Sequence, residues 1–94
     1  MISRFCFSDL HIKEETKQEI LVKCRENKFT HFGNYKVKRI EDLDGYKYFF
    51  DDDNKEWMMI RASGTEPVLR TYAESSSAEG AFAILKATEQ MLLN

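Results

Sequence analysis

Apolar and polar positions change period several times along this chain. Phe5 and Phe7 stand at alternate positions between Ile2 and Leu10, which predicts a short strand or extended entry segment. Lys13 to Asn27 is rich in Glu, Lys, Gln and Leu, residues that tolerate a helix. Ile20, Leu21 and Cys24 fall on one helical face there, Asn27 reads as the helix stop, and Gly33-Asn34 marks a turn. The period then becomes two. Tyr35 to Ile40 is rich in strand formers, Asp44-Gly45 signals a hairpin, and Tyr46, Tyr48 and Phe50 alternate along the next strand. Asp51-Asp52-Asp53-Asn54 is a polar turn. Glu56 to Arg61 and Val68 to Glu74 read as further strands, the second opened by Pro67, which has no N–H to give a ladder. The helical period returns at the end. Ala81, Ile84, Leu85, Thr88, Met91 and Leu92 form a stripe on a helix from Ala78 to Leu92, and Ser76 with Glu79 makes a capping-box pattern before it.

Helix, hairpin-connected strands, helix is the order of an α+β fold. The expectation is an antiparallel sheet of about four strands with both helices on one face. Length agrees with one domain over residues 1–94, since a chain of 94 residues buries roughly 60–70% of its unfolded surface. Hydrophobic residues make up 43% and charged residues 32%, which excludes a disordered chain. A net charge of −2 leaves no surplus of cations to displace counterions from nucleic-acid phosphates, so no nucleic-acid partner is expected. No apolar run approaches the ~18 residues of a membrane span, and the N-terminal residues lack a secretory pattern, so the expected setting is cytoplasmic. Cys6 and Cys24, with no metal-ligand spacing, then read as reduced, packed thiols. His11 and His31 also lack ligand spacing and read as surface residues.

The densest chemistry lies in RASGTEPVLR, residues 61–70, directly after the apolar run Trp57-Met58-Met59-Ile60. That run puts apolar groups on both faces of a strand. Either it is a central strand covered twice, or one face packs on another domain. Ser63-Gly64-Thr65 makes a polar loop at the sheet end, between two strands. The hydroxyls of Ser63 and Thr65 can donate to an anion. Gly64 permits backbone angles that other residues avoid, so successive N–H groups can converge. Arg61 and Arg70 offer planar forks that match phosphate oxygens. The same residues also suit an ordinary hairpin turn, with Arg61 paired to Glu66 or Glu74. Composition alone leaves both readings standing.

The full pattern R-x-S-G-T-E-P-x-x-R, one strand and one helix before the last residue, resembles the phosphate-binding signature of the C-terminal domain of the α-D-phosphohexomutases. GNYKVKRIEDLDGYKYFF resembles the strand pair that precedes it, and the likeness is weakest over residues 1–12. It lies closest to the bacterial phosphoglucomutase/phosphomannomutase branch. The resemblance implies a TATA-box-binding-protein-like α+β domain, the fourth of a four-domain enzyme that moves a phosphoryl group between the 1- and 6-positions of a hexose. A phosphoserine in the first domain would carry the phosphoryl group and a Mg2+ ion would sit in the second, both outside this chain. Arg61, Ser63, Gly64 and Thr65 would hold the phosphate that does not react, with Arg70 as a further partner. The implied partners are glucose or mannose 1- and 6-phosphate, the bisphosphate, and the other domains. Catalytic and metal residues are not expected within these 94 residues. Ala62 departs from the family pattern, which has proline there in many members, and implies a less rigid loop entry.

A second stretch suits a different class of function. Lys36, Lys38 and Arg39 interleave with Tyr35 and Val37, and Tyr46 and Tyr48 follow. Such a sheet can stack bases or dock a protein in a non-catalytic binding module. A half-buried strand with solvated lysines accounts for the same residues.

Overall fold

The computed structural model describes residues 4–93. The elements run β1 (Arg4–His11), α1 (Glu14–Arg25), β2 (His31–Phe32), β3 (Tyr35–Lys36), β4 (Arg39–Glu41), β5 (Tyr46–Phe49), β6 (Trp57–Ala62), β7 (Val68–Ser75) and α2 (Ala78–Leu93). The expected entry strand thus forms from Arg4 onward; Ile2 and Ser3 lie outside the described residues. The fold is α+β. Five strands in the order β1-β7-β6-β5-β4 make one antiparallel sheet, and β2-β3 is a separate hairpin.

The register sorts residues onto two faces. Cys6, Ala73 and Met58 share one cross-strand row; Ser8, Thr71 and Ile60 share the next; Leu10, Leu69 and Ala62 share a third. These rows face the helices. Ile20 and Cys24 of α1 and Ala81, Ile84, Leu85 and Leu92 of α2 join Leu10, Tyr48, Met58, Ile60, Leu69 and Ala73 in one core. Each Ile, Leu or Met side chain so removed from water contributes about 1.5–3 kcal/mol. The hairpin closes the core's side: Phe32 stacks on Phe29 at 5.3 Å and meets Tyr48 edge-on at 5.0 Å. The buried threonine hydroxyls find acceptors, Thr71 Oγ1 donating to Ser8 O and Thr88 Oγ1 to Ile84 O.

Among the described residues, no layer covers the opposite face. Its rows are Phe5–Glu74–Trp57, Phe7–Tyr72–Met59 and Asp9–Arg70–Arg61. Trp57 and Met59 are therefore half-buried on the open face while Met58 and Ile60 are buried beneath the helices.

Three local expectations change. Tyr35 to Ile40 is not one strand, because the chain leaves the hairpin after Lys36 and enters the main sheet at Arg39. Tyr46 and Tyr48 point into the helix-covered side, Tyr48 fully buried, so they are no base-stacking platform. At α2 the cap is Ser77, whose Oγ accepts the Gly80 N–H at 2.9 Å. The helix starts at Ala78, so the cap falls one residue later than the Ser76–Glu79 pattern predicted. The end of α1 follows the sequence closely. Asn27 takes φ +57°, and its N–H and that of Lys28 bond back to the Cys24 and Lys23 carbonyls in a Schellman arrangement.

Candidate functional site

β6 and β7 carry the ten-residue stretch, and the register decides its geometry. Arg61 and Arg70 are direct partners across the two strands. Their Cβ atoms therefore lie about 4.5–5.5 Å apart on one face, where like charges destabilise a sheet. Both are exposed, and among the described residues neither is within ion-pair distance of a carboxylate. The pairing of Arg61 with Glu66 or Glu74 considered from sequence does not form; Glu74 accepts the Trp57 indole N–H at 2.7 Å instead. Asp9 stands on the far side of Arg70 in the same row, a carboxylate the sequence pattern did not single out.

The loop beyond them is held from within. Ser63 N–H donates to Val68 O, and Val68 N–H to Glu66 O. Ser63 Oγ accepts the N–H groups of Thr65 at 3.4 Å and Glu66 at 3.3 Å. Two of the amides expected to face a ligand are thus turned onto the serine. The Ser63 hydroxyl proton stays free to donate outward, since a hydroxyl has one donor beside its two acceptor sites. Gly64 also departs from expectation. Its φ is not in the left-handed region, and a Cβ built there would meet nothing within 4 Å. The glycine thus leaves open space over the loop rather than serving backbone strain, and its N–H has no partner among the described residues.

Beneath the loop lies a residue that the sequence reading passed over. Lys17 of α1 is 5% exposed. Its Nζ donates to Ser63 O and Glu66 O, both at 3.1 Å, and pairs with Glu14 Oε1 at 3.1 Å. An ammonium has three donors, and all three are used. The Gln18 amide and the Lys17 ammonium hold the Glu14 carboxyl below the usual carboxylate range. The signal was present in the sequence: Lys17 lies at helical spacing from Ile20 and Cys24, on the apolar stripe. A 640 Å³ surface groove along Gln18, Val22 and Lys28 lies on the outer side of α1 and includes none of residues 61–70. His11 and His31 are exposed.

Sequence comparison assigns the chain to a family. Residues 19–90 match the family model for the phosphoglucomutase/phosphomannomutase C-terminal domain. The chain belongs to that family. A protein named "Probable phosphoglucosamine mutase" from Methanosphaera stadtmanae is 37% identical over 82 residues, covering 86% of this chain and 17% of that protein. A phosphoglucomutase/phosphomannomutase from Thermococcus kodakarensis is 41% identical over 54 residues, or 57% of this chain and 11% of its own length. The chain therefore spans less than a fifth of either relative. Both relatives are named as mutases, and the matched region of the family model includes Arg61, Ser63, Gly64, Thr65 and Arg70. The Mg2+ implied for the family has no fitting site among the described residues: no three acidic, His or Cys side chains gather. Asp51 uses its carboxylate to accept the Lys55 and Glu56 N–H groups.

Proposed function

We propose that this chain is the phosphate-gripping domain of a hexose-phosphate mutase. In this reading Arg61, Ser63, Gly64, Thr65 and Arg70 hold the phosphate that is not being transferred. The observation that carries it is the pair of exposed arginines directly opposite one another, at the edge of a loop with free donors; among the described residues neither is within ion-pair distance of a carboxylate, although Asp9 flanks Arg70 in the row. A sheet gains nothing from that juxtaposition by itself; an anion between the forks turns a repulsion into charge-assisted hydrogen bonds. The Ser63 O–H and the Gly64 N–H add neutral donors to the same bound group.

The chemistry follows from the symmetry of the task. A hexose presented first by one end and then by the other shares only a phosphate dianion between the two orientations. A site that reads the phosphate alone accepts both, and the binding energy it collects positions a distant reacting oxygen. The nucleophile and the Mg2+ belong to other domains of the intact enzyme, in the cytoplasm, and the isolated chain is inactive.

Titration with inorganic phosphate, followed by amide NMR, tests the reading. Shifts should concentrate at residues 61–66. Arg61→Ala should weaken binding about tenfold or more, matching loss of a charged hydrogen bond of roughly 1.5–3 kcal/mol. Gly64→Ala should leave stability within about 0.5 kcal/mol, because its Cβ meets nothing, while weakening phosphate binding. Shifts scattered over the surface, or Arg61→Ala binding like wild type, would sink the assignment. The open face, with Phe7 68% and Phe5 54% exposed, favours a second reading as a docking surface for protein or RNA. A salt-sensitive gel shift with single-stranded RNA, without phosphate shifts at the loop, would support that reading instead.

A further inference from the structure

A buried lysine is uncommon unless every donor is used, and its placement here is specific. Lys17 projects from α1, on the helix side of the sheet, and binds the carbonyls of Ser63 and Glu66. In a trans peptide the C=O and the following N–H point in opposite directions. With Ser63 O turned down onto Lys17, the Gly64 N–H points away from the helix layer. Arg61 and Arg70 stand on that same side, because their row is the one facing away from the core. The second carbonyl, Glu66 O, precedes Pro67, which carries no N–H, so anchoring it strands no donor. It also accepts the Val68 N–H and so ties the loop to the start of β7.

We propose that Lys17 is a positioning residue for phosphate binding: it fixes the Ser63–Gly64 peptide with its N–H outward, so that the amide is aimed before the anion arrives. The inference rests on the reading of residues 61–70 as the phosphate grip. Lys17 does not touch the ligand. It removes the alternative in which the peptide flips, buries the Gly64 N–H and presents a carbonyl oxygen to a dianion. Glu14 is the ammonium's third acceptor, lies outside the loop, and has no part in this orientation.

Two substitutions separate these roles. Lys17→Met keeps an unbranched stem as long as the lysine's carbon chain and removes the donors. Its dissociation constant for inorganic phosphate, measured well below the unfolding midpoint, should rise about tenfold, and the Gly64 amide resonance should be displaced before phosphate is added. Glu14→Gln keeps both carbonyl contacts and should bind phosphate within about twofold of the unmodified chain. A role in stability alone would lower the unfolding midpoint of Lys17→Met and leave its phosphate affinity intact, and that result would overturn the proposal. So would a loss in Glu14→Gln as large as that in Lys17→Met. If Lys17→Met fails to fold, hydrogen exchange in the unmodified chain decides. Gly64 N–H should exchange freely alone and slow on saturation with phosphate; protection at Thr65 and Glu66 without Gly64 would refute the orientation. Absence of any phosphate effect across residues 61–66 in the unmodified chain would instead remove the phosphate-grip reading itself.

Discussion

Single residues in this domain are constrained by what surrounds them more than by their type. Tyr48 shows this in the core. It is fully buried, its Oη makes no hydrogen bond of good geometry, and it neighbours the Cys24 thiol, a weak donor. Burial pushes the ionisation of both groups up, so both stay protonated at neutral pH. An unsatisfied hydroxyl costs about 1–3 kcal/mol, so Tyr48→Phe should be neutral or stabilising by about 1 kcal/mol in urea unfolding. A clear loss would show that the hydroxyl is bonded after all. The sign of the pH effect follows from the raised values. Stability is fully present below the ordinary values of 9.0 for Cys and 10.0 for Tyr, and falls as pH rises past them, because the unfolded chain ionises first. Tyr48→Phe should flatten that alkaline loss. At the site, Arg61, Ser63, Thr65 and Arg70 were legible as types in a pattern. The use of Ser63 Oγ as an acceptor for two amides was not, since that depends on how the loop closes.

Elements were read from periodicity, and their ends were decided by hydrogen bonds. The α2 stripe from Ala81 to Leu92 is buried as its spacing predicts, Met91 only in part, yet the cap is Ser77. Ser77→Ala should cost about 1 kcal/mol and Ser76→Ala less than about 0.5 kcal/mol in thermal or urea unfolding; equal losses would contradict the geometry. Adjacent serines are indistinguishable to a pattern when either can cap. What separates them is the position of the first helical residue, set by the packing of Ala81 and Ile84 against the sheet. The break between β3 and β4 has the same origin. Tyr35 to Ile40 has strand propensity throughout, but Tyr35 packs on Phe50 while Arg39 pairs with Phe49 in the main sheet, so one run serves two sheets.

At the scale of the whole molecule, the sheet is covered once. Helices and the β2-β3 hairpin bury one face, and Phe5, Phe7, Tyr72 and Trp57 cluster on the other with Lys47 lying 4.2 Å over the Trp57 ring. The two faces should therefore differ in energetic weight. Leu69→Ala, at 0% exposure, should cost about 2–5 kcal/mol. Phe7→Ala, at 68% exposure, should cost less than about 1 kcal/mol in the same unfolding assay. Comparable losses would mean that the open face is covered in solution. The arginine row lies on this same face, next to the row of Phe7, Tyr72 and Met59. The proposed anion site is thus continuous with the exposed side of the sheet and separated from the core by the sheet itself.

The sequence by itself determined the α+β class, the two helices, the succession of the last three strands and the residue types of 61–70, because these rest on periodicity and on residues close together in the chain. Tertiary structure decided what those residues face. Arg61 and Arg70 become neighbours through the strand register, a property of the pairing and not of either strand. Lys17 reaches Ser63 across 46 positions of sequence, and only the docking of α1 against the sheet brings it beneath the loop. Local patterns carry information about a few turns or a few residues of strand. The orientation of the Gly64 amide depends on a contact far beyond that range.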